Sequence, residues 1–139
     1  MHSNHKGAIA EAKIRADLLS KGFKTATPDL PMSFDLIVYK DNKFYKVQIK
    51  YCSLKNGCLV VYLKSNHYNA RKNVKVVYKS YIKKDVDVFA AYSPDIDECF
   101  YFSSNILDYN SAAINLRIEE PKHLNKNIRW AKDYREFPV

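Results

Sequence analysis

The chain lacks any apolar run approaching the roughly 18 residues needed to cross a bilayer, and its N-terminus lacks the apolar core of a signal peptide. No membrane association is therefore expected, and the expected location is cytoplasmic or organellar. Cysteine is scarce and odd in number. Cys52, Cys58 and Cys99 follow no metal-ligand spacing, which argues against a disulfide framework or a zinc centre and for three small apolar side chains in a reducing compartment. Internal repeats and low-complexity linkers are also missing, so residues 1–139 read as a single domain. A domain of that length buries about 70% of the surface of its unfolded chain. Acid is in short supply: 15 Asp and Glu face 23 Lys and Arg, a net charge of +8. Such an excess points to a polyanionic partner, and for a soluble domain the commonest is nucleic acid.

The basic excess is concentrated. Residues Ser65 to Lys84, SNHYNARKNVKVVYKSYIKK, contain no acid and interleave His67, Arg71, Lys72, Lys75, Lys79, Lys83 and Lys84 with Tyr68, Tyr78 and Tyr81. Cations in such a segment track phosphates, while amides reach base edges. The DNA-binding candidates are Lys55, Lys64, Asn66, His67, Asn69, Arg71, Lys72, Lys75 and Arg117. The acidic turn from Ser93 to Glu98 is expected to lie away from any phosphate.

His5 to Lys21 reads as the first helix, rich in alanine, with Ile14, Leu18 and Leu19 in its apolar stripe and Gly22 as its stop. Glu11 falls on or beside that stripe, where a carboxylate is costly unless paired or bound to a metal. It either pairs with Lys13 or Arg15 or serves a site.

Phe34 to Lys50, FDLIVYKDNKFYKVQIK, reads as two strands joined at Asp41-Asn42, residue types that favour turns. A turn centred there makes the numbers of antiparallel partners sum to about 83. Leu36 then faces Val47, Val38 faces Tyr45 and Asp35 faces Gln48. Alternation sends Phe34, Leu36, Val38, Tyr45, Val47 and Ile49 to one apolar face and gathers Asp35, Gln48 and Lys50 on the other. Further strands are expected at Cys58–Lys64, Val86–Tyr92, Cys99–Phe102 and Ile114–Ile118. A short edge strand fits within Lys24–Met32, and Trp130 is expected to anchor the tail.

A carboxylate, an amide and an ammonium on one patch suit phosphodiester hydrolysis. That reaction needs a metal on hard oxygen ligands, a water in line with the leaving oxygen and a cation for the growing charge. Asp35 is the natural metal ligand, Gln48 can lend its amide oxygen, and the main-chain carbonyl of Ile49 is a further donor. Glu11 could reach the same metal, and Lys50 can orient the water or stabilise charge. Mg²⁺, or Mn²⁺ in its place, suits so few protein ligands.

Glu11, Asp35, Gln48 and Lys50 in this order resemble the PD-(D/E)XK nuclease superfamily. The longer stretches KGAIAEAKIRADLLSKGF, FDLIVYKDNKFYKVQIKYCS and VDVFAAYSPDIDECFYFS look like its group I intron-associated endonucleases. The resemblance spans roughly residues 6–104 and implies an α/β fold, a restriction-endonuclease-like core with a mixed central β-sheet flanked by helices. It also implies a homing endonuclease that cuts double-stranded DNA with a divalent metal as a homodimer or homotetramer, leaving 5'-phosphate and 3'-OH ends. Pro28-Asp29 spells the superfamily's literal dipeptide but precedes the hairpin, and Gln48 stands where most members carry an acid. An archaeal-type Holliday junction resolvase and a catalytically decayed DNA-binding module are the alternatives.

Overall fold

The helix α1 spans Ser3–Ser20 and buries Ala10, Ile14 and Leu18, one residue per turn along a single stripe. His2 caps its start through Nδ1, which accepts from the Asn4 N–H. Its end is a Schellman motif: Gly22 takes φ +88°, its N–H reaches the Leu19 carbonyl, and the Phe23 N–H reaches that of Leu18. The chain is described here from a computed structural model over residues 1–63, 85–107, 112–123 and 127–138.

Five strands follow the order β1 (Lys24–Ala26), β2 (Leu36–Lys40), β3 (Lys43–Tyr51), β6 (Val88–Ser93) and β7 (Glu98–Ser103) across a mixed sheet. All its neighbours are antiparallel except β3 and β6, which run parallel. A second, antiparallel sheet orders β4 (Leu54–Lys55), β5 (Cys58–Tyr62) and β8 (Ala113–Arg117). The mixed central sheet with its helix is the expected fold class. Only one of its faces carries an α-helix among the described residues; the other is covered by the second sheet.

Two cores result. On one face, Ala10, Ile14 and Leu18 of α1 meet Leu36, Val38, Val47, Val88, Ala90 and Tyr101. On the other, Phe89, Ala91, Phe100 and Phe102 meet Leu59, Val61, Ile114 and Leu116. Each large side chain so enclosed contributes about 1.5–3 kcal/mol by leaving water. Phe137, near the end of the chain, packs against Phe23, Tyr45 and Tyr101 and ties the tail to the helix-side core. Trp130, the expected anchor, is only half-buried and forms a bridge to Arg117, while Ala131 beside it is buried.

Candidate active site

The β2–β3 hairpin has the expected register: Leu36 faces Val47, Val38 faces Tyr45 and Lys40 faces Lys43. Asp41 and Asn42 both take positive φ, 51° and 64°, the conformation of a type I′ turn, whose twist matches that of the strands it joins. The apolar face packs on α1 as alternation requires, through Leu36, Val38, Val47, Tyr45 and Ile49.

At the far end the ladder departs from the expected pairing. The Asp35 N–H donates to the Val47 carbonyl at 2.9 Å, although the register already pairs Val47 with Leu36. Two consecutive residues thus meet one on the opposite strand, the geometry of a β-bulge, which bends a strand and re-aims its side chains. Asp35 therefore does not pair with Gln48 as strict alternation would have it. Its carboxylate turns along the open edge of β3 and accepts the Ile49 N–H through Oδ2 at 2.8 Å.

That bond also defines the carbonyl of Ile49. Even-numbered residues of β3 bond to the β6 side, since Lys46 accepts from the Asp87 N–H and Cys52 donates to the Tyr92 carbonyl. Main-chain groups of odd-numbered residues face β2, which has ended by this point. The Ile49 carbonyl therefore leaves on the side where Asp35 lies, and no described main-chain N–H outside the strand ladders donates to it. Asp35 is exposed. A carboxylate and a main-chain carbonyl side by side, with the Gln48 amide on the adjoining face, make an all-oxygen donor set. No group of three His, Cys, Asp or Glu capable of holding a metal occurs among the described residues. The set suits a hard cation that retains several waters, such as Mg²⁺, better than a tetrahedral zinc centre.

Gln48, Lys50 and Cys52 lie on the face opposite α1, and Cys52 belongs to the core under the second sheet. Burial lowers the Lys50 pKa below its ordinary value, opposed by the nearby Asp35 carboxylate and by Cys52. Burial likewise pushes the Cys52 thiol up to about 12, with Lys50 pulling the other way, so this cysteine stays a neutral packing residue.

Glu11 sits half-buried on α1, against the other face of the sheet from Gln48 and Lys50. It pairs with neither Lys13 nor Arg15; Lys13 instead bridges Asp97 at 2.9 Å. No hydrogen bond joins Glu11 to the hairpin among the described residues, and its route to Asp35 is across the edge that β2 vacates. Lys6 escaped the sequence reading. It extends the Ala10–Ile14–Leu18 stripe by one turn, past the core, and places its ammonium 5.8 Å from the centre of the Tyr51 ring at the end of β3. A polar residue at a stripe position was its signal in the sequence.

Of the DNA-binding candidates, Lys55 is exposed on β4. Arg117 on β8 is committed internally: Nε donates to the Glu119 carbonyl at 2.8 Å and Nη1 to the Cys58 sulfur. Lys64, Asn66, His67, Asn69, Arg71, Lys72 and Lys75 lie outside the described residues. The acidic turn is nearer the site than expected, because β3 and β6 run in parallel toward the same end of the sheet. Its charges are matched, however. Asp97 meets Lys13 and the Tyr92 hydroxyl, Glu98 meets Arg135, and Asp95 accepts the Leu54 N–H at 2.7 Å.

The fold has parallels among solved structures. The solved structure of a bacterial homing endonuclease, I-Ssp6803I, resembles the chain with a TM-score of 0.67 and 20% identity, over 96% of this chain and 86% of that one. A fainter likeness, TM-score 0.47 and 12% identity over 81% and 84% of the two chains, is to Hjc, a Holliday junction resolvase from Archaeoglobus fulgidus. No curated protein matches the sequence. A family model described as PD-(D/E)XK endonuclease matches residues 1–137, nearly the whole chain. The chain belongs to the PD-(D/E)XK endonuclease family.

Proposed function

We propose that the protein is a metal-dependent, sequence-specific endonuclease of the homing type that cuts both strands of duplex DNA. The observation that carries this reading is the Asp35 carboxylate fixed on the Ile49 N–H, beside an open main-chain carbonyl and the half-buried Lys50. Asp35 and the Ile49 carbonyl would hold Mg²⁺ or Mn²⁺, with the Gln48 amide oxygen and Glu11 as further donors. Such an ion, when bound, offsets charge growing on the phosphate and acidifies a coordinated water. Lys50 orients the attacking water in line with the leaving oxygen and stabilises the pentacovalent charge. Its burial favours the neutral amine more than exposure would, so a larger share of it than of a surface lysine is unprotonated and available as a base. Cleavage leaves a 5'-phosphate and a 3'-OH. One chain supplies one such site, so a double-strand cut calls for a homodimer or a homotetramer. The net charge of +8 supports a polyanionic substrate.

The test is plasmid cleavage in Mg²⁺, with Ca²⁺ for binding alone, using the wild type, Asp35→Ala and Lys50→Ala. Each substitution is expected to lower the cleavage rate by at least about 10²–10³-fold while leaving DNA affinity within a few-fold. Cleavage retained by both variants would remove these residues from the chemistry. Binding without cutting by the wild type would identify a decayed module, and cutting of four-way junctions alone would identify a resolvase.

A further inference from the structure

The connector between β1 and β2 has a composition at odds with its position. Residues 27–35, TPDLPMSFD, hold no Lys or Arg, yet they lead straight into the proposed metal ligand Asp35 in a chain of net charge +8. Leu30 and Met32 on it are 75% and 57% exposed, among the few large apolar side chains the described residues leave in water. Pro28 and Pro31 restrict the backbone around them, and buried Phe34 fixes the segment to the body of the protein. Two large apolar groups are thus held out on a stiffened loop, three and five residues from Asp35.

The loop adjoins Asp35 in sequence, so a duplex that brings a phosphate to that carboxylate comes within its reach. Without cations the loop cannot track the backbone, and apolar side chains have no good partner among phosphates. The apolar surfaces of DNA are the faces of its bases, exposed when a step is partly unstacked from the minor groove. A second copy of the chain is a poorer occupant, because two side chains fall far short of the roughly 800 Å² per partner that a stable homodimer needs. We propose, building on the nuclease reading above, that Leu30 and Met32 form a wedge that enters a base step beside the scissile phosphate and kinks the DNA into the site.

The experiment compares wild type with the Leu30→Ser/Met32→Ser double variant in Ca²⁺. Each is titrated against a fluorescein-labelled 30-base-pair duplex centred on the plasmid site that the wild type cuts, fully paired or with a single mismatch at the cut step. A mismatched step is already loosened, so the wild type is expected to bind it about tenfold more tightly than the paired duplex, and the variant to bind both alike. Both positions are exposed, so the variant keeps its fold, and sedimentation records its assembly state. A preference retained by the variant, or none in the wild type, overturns the wedge. A smaller species for the variant overturns it in favour of a contact between copies. Failure of the wild type to bind either duplex would instead sink the DNA endonuclease reading on which the wedge depends.

Discussion

The two hairpins of the central sheet are built alike and finished differently. In β6–β7 six successive pairs stay in register, from Val88 with Ser103 to Ser93 with Glu98, and every residue of β6 is buried. In β2–β3 five pairs stay in register, and then the strands separate at Asp35, where a side chain takes the Ile49 N–H that a further residue of β2 would have used. One hairpin keeps its pairing unbroken to the turn, with β6 bonded on its other side to β3. The other leaves main-chain groups and a carboxylate facing outward, which is what a ligand site needs and what a scaffold avoids. Regularity marks the support, and its interruption marks the proposed site.

The contrast is sharpest in stability. Phe100→Ala in β7 empties a fully buried position and should cost about 3–5 kcal/mol, measured by urea unfolding. Phe44→Ala in the other hairpin removes a side chain 72% exposed that packs against the Tyr39 ring, and should cost under about 1 kcal/mol. Equal losses would erase the distinction between scaffold and site.

A second effect has the opposite sign. Lys50 is held below its unfolded pKa by burial. Between its folded and unfolded pKa values the unfolded chain binds the extra proton, so stability rises with pH through that window. Below it the fold carries a partly desolvated ammonium at a cost. Lys50→Met should therefore raise the melting temperature near pH 7 by about 3–5 °C, roughly 1 kcal/mol in a domain of this size, while abolishing cleavage. The gain should shrink as pH approaches the unfolded value of about 10.4. Destabilisation at neutral pH would mean that the ammonium is better satisfied than its surroundings indicate.

The smallest effect lies at the β6–β7 turn. The Tyr92 hydroxyl donates to Asp97, which with burial pushes its pKa up to about 12, while the same bond and Lys13 draw the Asp97 carboxyl down. Asp97→Asn should return the Tyr92 midpoint toward its ordinary value, read by ultraviolet absorbance against pH, with little change in cleavage. A large loss of activity would tie the turn to the substrate.

The same contrast explains what the sequence disclosed. Alternating apolar residues around Asp41-Asn42 specify the site hairpin because turn type, register and buried face all agree. The bulge at Asp35 is invisible in the letters, since it depends on which carbonyl a single N–H selects. The second sheet was only partly legible. Its two-residue strand β4 is too short to show a period, although Asn56-Gly57, with φ values of 50° and 75°, is a strong two-residue hairpin signal. Phe137 lies in a short polar tail with no periodicity to reveal that it closes a core. Glu11 was placed correctly beside the buried stripe, but a helical wheel cannot say which edge of a sheet lies beneath it.

The parallel pairing of β3 with β6 has a consequence for how the protein matures. The hairpin that carries Asp35, Gln48 and Lys50 joins neighbours in sequence and can close within about 1–10 μs. The pairing that encloses Lys50 joins residues 41 positions apart, as between Lys46 and Asp87, and such distant contacts form slowly. A newly made chain should therefore display the proposed catalytic residues well before their site is complete, and any hydrolysis that depends on them should appear only once the two halves of the sheet have met.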